Sequence, residues 1–263
     1  MIITAVVQAR MGSSRLPGKV MAPLAGVPLI EVLLERLSRS SRLSSIVLAT
    51  SEAPRNEPLA AHVDGLGYRV FRGSEHDVLS RFYLAAAPSM PDVVVRITGD
   101  CPLVDAALVD LVIDAYLAGG VDYATNTNPP TFPDGLDVEV MSFAALTAAH
   151  RDASAPFERE HVTPFIRESG RFRTLNVRGV EDLSALRWTV DEPDDLDVVS
   201  AVFAHFAPSR TFSWQDALGW FAAHPEVMGR NQAIPRNEGA TLSDAEKRAR
   251  HVGRSSPSKE HQP

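Results

Sequence analysis

The chain has 263 residues, 44% of them hydrophobic and 22% charged, a balance that supports a buried core and excludes a chain disordered throughout. With 26 Lys and Arg against 33 Asp and Glu the net charge is -7, so the basic footprint of a nucleic-acid-binding surface is missing, although a local basic pocket for small phosphates stays open. The one cysteine, Cys101, cannot form an intramolecular disulfide and fits a reducing, cytoplasmic compartment; no run approaches the ~18 apolar residues of a membrane span, and the apolar start lacks the basic flank of a signal peptide.

Strands and helices alternate from the start. Ile2 to Val7 is an apolar, β-branched run ending in a polar loop, and Pro28 to Leu37 carries Leu29, Ile30, Leu33, Leu34 and Leu37 at helical spacing. Ile46 to Ala49, Tyr68 to Phe71 and Asp92 to Ile97 read as further strands. Leu59 to Leu66, Val78 to Ala87 and Ala106 to Leu117 read as the helices between and after them. Val93, Val94 and Val95 stand consecutively, as expected of a strand covered on both faces. This order predicts an α/β, Rossmann-like, mostly parallel sheet flanked by helices.

Regularity falls after Val121. Asn126 to Gly135 is a long loop; Leu136 to Met141, Phe172 to Val177 and Arg187 to Val190 are expected strands. Phe143 to Arg151, Glu158 to Glu168, Pro193 to Phe206 and Phe212 to Ala223 are expected helices. From Arg230 to Pro263 there are seven Lys or Arg, four Asp or Glu and almost no large apolar residues, so residues 1–229 are expected to form one domain and 230–263 a disordered tail.

Three segments carry chemistry. Directly after the first strand, Gln8-Ala-Arg-Met-Gly-Ser-Ser-Arg-Leu-Pro-Gly-Lys19 combines glycines, hydroxyls and the cations Arg10, Arg15 and Lys19, a composition suited to cradling a polyphosphate. It is neither a Walker A loop nor a dinucleotide fingerprint. Asp100 lies just past the central strand between Gly99 and Cys101-Pro102, and Asp191 follows the run Arg187 to Val190. Each is a hard oxygen ligand of the kind Mg2+ takes, while Asp105 is placed to cap a helix and Asp194 and Asp195 to complement a helix dipole. Asp137 and Glu139, two apart, share one face of a strand. Cys101 is expected to be a buried filler and not a nucleophile, since no His or Asn pattern accompanies it.

Together these segments resemble the cytidylyltransferase family that includes SpsF-like spore-coat polysaccharide proteins and the CMP-KDO and CMP-sialic acid synthetases. Gln8 to Lys19 resembles its nucleotide loop, Ile97-Thr-Gly-Asp-Cys-Pro-Leu-Val-Asp105 its metal-binding strand end, and Thr189-Val-Asp-Glu-Pro-Asp-Asp-Leu196 its late acidic motif. Asp134-Gly-Leu-Asp-Val-Glu139 and Arg159-Glu-His-Val-Thr-Pro164 look like the SpsF branch. The resemblance implies a GT-A-like nucleotidyltransferase that joins CMP from CTP to a small-molecule acceptor, an acidic sugar or related surface-polysaccharide precursor, and it is compatible with a homodimer. It implies that Gln8, Ala9, Arg10, Met11, Gly12, Ser13, Arg15, Lys19 and Asp100 hold CTP, and that Asp100 and Asp191 bind Mg2+. Arg15, Lys19, Asp100 and Asp191 would then act in catalysis, and Asp137, Glu139, Arg159, Glu160 and His161 would face the acceptor. Other readings remain open at this stage: a different nucleoside triphosphate, since nothing in these residues fixes cytosine; a non-sugar acceptor; a GT-A glycosyltransferase, against which Gly99-Asp100-Cys101-Pro102 counts because Asp-x-Asp is missing; and a non-catalytic nucleotide-binding protein.

Overall fold

In the computed structural model, which describes residues 1–236, β1 (Ile3–Gln8) is followed by a small hairpin of β2 (Pro23–Leu24) and β3 (Val27–Pro28), then α1 (Leu29–Leu37), β4 (Ser45–Ser51), α2 (Glu57–Gly65), β5 (Arg69–Gly73), α3 (Val78–Ala86), β6 (Val93–Thr98) and α4 (Ala106–Gly119). The chain continues through β7 (Tyr123–Thr125), β8 (Glu139–Ser142), α5 (Phe143–Asp152), α6 (Pro156–His161), α7 (Pro164–Glu168), β9 (Thr174–Asn176), α8 (Pro193–Phe206), α9 (Trp214–Ala223) and α10 (Pro225–Met228). Seven strands form one sheet in the order β5-β4-β1-β6-β8-β7-β9. β5, β4, β1 and β6 run parallel, β8 is antiparallel to β6 and β7, and β9 is parallel to β7. The expected mostly parallel, mixed sheet is thus present.

Alternation along the strands builds the two covered faces. Ala5, Val7, Leu48, Val95 and Ile97 pack with Leu33, Val63 and Val109 of α1, α2 and α4 on one side. Val6, Val47, Val94 and Met141 pack with Phe82 of α3 and Leu146 of α5 on the other. A third cluster gathers Trp188, Val198, Val202, Phe203 and Phe221 around α8 and α9 and reaches back to Leu29 and Leu103. From β1 the chain runs outward through β4 to β5, then returns to β6 on the other side of β1. The order therefore reverses between β1 and β6, and the crevice at their carboxyl ends is where such sheets bind ligands.

Two expectations are corrected. Arg187 to Val190 is not a strand: it makes a single bridge, Asp134 with Arg187, and the Trp188 and Val190 N–H groups donate to the carbonyls of Asp134 and Asp100 instead. Glu158 to Glu168 is not one helix but parts of two, because Pro164 cannot donate and Val162 turns with φ 72 and ψ -55. The Thr163 N–H donates to the His161 carbonyl at 2.8 Å, closing a strained γ-turn. β7, β2–β3 and α10 were not anticipated. The compact unit spans Met1–Gln232, and the expected tail from 237 onward lies outside the described residues.

Candidate functional site

The loop after β1 is shaped from below and from the side. Gly99 allows it to sit close to β6: a methyl group there would come within 2.5 Å of Ala9 Cβ, and the Gly99 N–H donates to the Gln8 carbonyl at 2.8 Å. The Met11 carbonyl accepts from Ser13 and Gly18 N–H, folding residues 11–18 back on themselves. The Met11 N–H in turn donates to Oδ1 of the buried Asn56 at 2.7 Å, and the Arg55 guanidinium, ion-paired to Glu75, lies against Gly12. Arg10 projects outward and is exposed.

Lys19, at the far end of this loop, joins the three sequence segments. Its Nζ donates to Asp100 Oδ2 at 2.9 Å and to Asp191 Oδ1 at 2.6 Å, with the side chain only 9% exposed. Arg15 Nη2 lies 3.0 Å from Asp191 Oδ2 and its Nη1 lies 3.7 Å from Glu192 Oε1. Burial opposes the charge on Lys19, but the two carboxylates outweigh it and raise its pKa; burial likewise opposes ionisation of Asp100, but Lys19 holds that carboxyl below the usual range. The Cys101 thiol, buried beside them, is pushed well above its ordinary pKa by burial and then by Asp100, which suits a packed filler and not a thiolate.

Asp191 reaches Asp100 through backbone stitching. Trp188 N–H donates to the Asp134 carbonyl at 2.7 Å, Val190 N–H to the Asp100 carbonyl at 2.8 Å, and Asp134 N–H to the Leu186 carbonyl at 2.8 Å. Gly135, at φ 102, permits this approach, since a methyl group there would fall 2.6 Å from Thr189 N. Behind Asp191 stands the buried Arg187, paired with Asp134, Asp191 and Asp195. Asp195 does more than complement a helix dipole: it is fully buried and accepts from Asp191 and Glu192 N–H, from Arg187 and from the Asn231 amide.

The residues expected near the acceptor are placed differently from one another. Glu139 is buried, ion-paired with Arg96 and accepting from Tyr123 at 2.5 Å and Thr163 at 2.6 Å; Arg96 also reaches Gln8 at 3.5 Å. Arg159 grips Asp77, the N-cap of α3, through Nε at 3.0 Å and Nη2 at 2.5 Å. Arg159 and Glu160 line a cavity of about 360 Å3 together with Arg10, Ser74 and His76, which brings the loop after β1 and the Arg159 motif to one hollow. His161 packs on Phe157 at 4.5 Å, and Asp137 lies close enough to act on Cys101 electrostatically.

Asn56, Arg96, Arg187 and Asn231 were not singled out from sequence. For Arg187 a signal existed, a charge inside the apolar run Leu186, Trp188 and Val190 with acids four and eight residues on. Among the described residues no group of three or more His, Cys, Asp or Glu converges as a metal cage. Asp100 Oδ2 and Asp191 Oδ1, which here converge on the Lys19 ammonium, are nevertheless donors of the kind that fit Mg2+, which takes one or two carboxylates and completes its shell with water and phosphate oxygens. No helix of the described residues is long and apolar enough to cross a membrane.

A family model for cytidylyltransferases matches residues 4–192. The spore coat polysaccharide biosynthesis protein SpsF of Bacillus subtilis is 36% identical over 236 residues, 87% of this chain and 97% of SpsF. A 3-deoxy-manno-octulosonate cytidylyltransferase of Anaeromyxobacter is 28% identical over 77% of this chain and 97% of its own length. The solved structure of a cytidylyltransferase from Leptospira borgpetersenii superposes with a TM-score of 0.83 at 31% identity, covering 90% of this chain and 98% of that one.

Proposed function

This chain belongs to the cytidylyltransferase family, and on that premise we propose that it transfers CMP from CTP to a hydroxyl of a small acceptor, with Mg2+ and with release of pyrophosphate. The observation that carries this reading is the meeting of Lys19, Asp100 and Asp191 beside Arg15, which unites a cationic loop with two metal-type carboxylates at the β1/β6 crevice. The names of the relatives, one for coat polysaccharide biosynthesis and one for a sugar-acid cytidylyltransferase, support an acidic sugar or related surface-polysaccharide precursor as the acceptor. A cytoplasmic enzyme is consistent with the lone, buried cysteine.

In this reading the acceptor hydroxyl oxygen attacks the α-phosphorus of CTP and its proton passes to solvent. The bond from that phosphorus to the bridging oxygen of the β-phosphate breaks, and pyrophosphate leaves with the electron pair. Residues 8–13 hold the nucleotide, while Arg15 and Lys19 offset the charge that grows on the departing pyrophosphate. Asp100 and Asp191 would hold Mg2+, which when bound neutralises phosphoryl oxygens. Asp137, Glu160 and His161 would orient the acceptor, and Glu139 and Arg159 would fix the frame around it, through Arg96 and Thr163 in one case and Asp77 in the other. Alignment of the attacking and leaving oxygens does most of the remaining work, and no covalent enzyme intermediate is needed.

Pyrophosphate release tests this directly, with CTP, UTP, ATP and GTP each offered to acidic and neutral sugars with and without Mg2+. Release with CTP and an acidic sugar, dependent on Mg2+, is expected. Equal release with UTP would remove the cytidylyl assignment, and release without divalent metal would remove the metal.

A further inference from the structure

Asp191 presents its two oxygens to different partners. Oδ1 lies 2.6 Å from Lys19 Nζ, the point it shares with Asp100 Oδ2. Oδ2 receives Arg187 Nη2 at 3.1 Å and Arg15 Nη2 at 3.0 Å. The Arg15 side chain is 27% exposed, whereas that of Arg187 is 4% exposed and locked. Its Nε and Nη2 meet the two oxygens of Asp195 at 2.8 and 2.9 Å, and its Nη1 lies 3.3 Å from Asp134. The buried Asn231 closes the arrangement by donating to Asp195 Oδ1 at 2.8 Å and to the Arg187 carbonyl at 3.0 Å.

We propose that Arg187 is a positioning residue that occupies Asp191 Oδ2, leaves Oδ1 alone to face the ion shared with Asp100, and so selects Mg2+ over Ca2+. The inference rests on the metal reading proposed above. Its chemistry is simple. Mg2+ demands short, near-octahedral, one-oxygen contacts, while the larger Ca2+ accepts carboxylates through both oxygens. A carboxylate with one oxygen held by a rigid guanidinium favours the first kind of contact over the second. Asn231 serves the same end at one remove, because it holds Asp195, which holds Arg187. Outer-shell partners of this kind commonly change metal affinity by about tenfold or more.

The test reads metal binding and not turnover. Mn2+ bound to the full chain with CTP, in the absence of acceptor, is followed by electron paramagnetic resonance and displaced by Mg2+ or by Ca2+. Arg187→Lys keeps the charge but cannot serve Asp191 and Asp195 together. It should shift the ratio of the two displacement constants toward Ca2+ by about tenfold. Equal weakening of both ions, or no change, would overturn the proposal. If Arg187→Lys does not melt cooperatively, Asn231→Ala decides: a smaller shift in the same direction supports the role of Arg187, and an unchanged ratio overturns it. Asp100→Asn and Asp191→Asn separate this failure from that of the metal reading, since Mn2+ held as tightly by both variants would place the ion elsewhere and remove the ground for both.

Discussion

Lys19 decides the electrostatics of the crevice at the scale of single residues. A buried ammonium is costly unless paired, and here two carboxylates meet it at 2.9 and 2.6 Å. Lys19→Ala should leave the chain folded, weaken CTP binding about tenfold or more by calorimetry and lower turnover further, because the cation counts most where charge develops. Unchanged affinity and rate would remove residues 10–19 as the nucleotide loop. Asp100 makes a second, pH-dependent statement. Lys19 lowers its carboxyl to about 2 against the pull of burial, so its folded pKa lies below the unfolded value near 3.9. The stability it contributes is then complete above about pH 4 and lost as pH falls toward about 2. Denaturant melts of Asp100→Asn should show a shallower loss of stability across that window than the parent chain; equal slopes would contradict the pairing.

The elements carry the site only where their ends and turns are specified. Asp105 caps α4 by accepting from Leu108 N–H at 3.0 Å and also takes the Trp214 N–H at 3.0 Å, tying α9 to α4. Asp105→Ala should therefore cost about 2 kcal/mol, a cap plus an orphaned donor, with CTP affinity unchanged; a loss of affinity at full stability would contradict its structural role. Gly135 has the opposite signature. A side chain at φ 102, pressed into the Trp188–Thr189 backbone, must push that strip away from Asp100. Gly135→Ala should lower the CTP rate more than tenfold, about 1.4 kcal/mol, beyond what its drop in melting temperature explains. The regular elements were legible because burial on both faces makes a strand such as Val93–Thr98 a nearly continuous apolar run, and burial on one face gives a helix such as Ala106–Gly119 a period of three to four. The irregular ones were not. Leu186 to Val190 is apolar enough to imitate a strand, yet its partners are the lone carbonyls of Asp134 and Asp100. Phe165 and Ile166 continue the apolar pattern of α6 across Val162, although the backbone turns there.

For the whole molecule, function depends on chain segments brought together over long sequence distances. The loop cations and the two acids stood out one by one, since glycine, lysine and aspartate at the ends of apolar runs have few structural uses in such combination. The network behind them was not, because Arg187 and Asn231 gain meaning only from contacts with Asp195 and Asp134. Asn231 also fixes where the functional unit can end. Truncation after Arg236 should leave melting temperature and activity near those of the full chain, while truncation after Gly229 should lower both by removing the donor to Asp195; equal behaviour of the two would contradict a working role for residues 230–232. The central claim is that Asp100 and Asp191 serve one ion at one nucleotide site. Its most direct test is a double-mutant cycle of Asp100→Asn and Asp191→Asn, read as the Mg2+ dependence of CTP turnover. Each single change should raise the Mg2+ requirement and cut the rate by orders of magnitude, and the double change should cost clearly less than the two losses combined. Additive losses, or an Asp191→Asn chain that is merely less stable with its Mg2+ dependence unaltered, would contradict it.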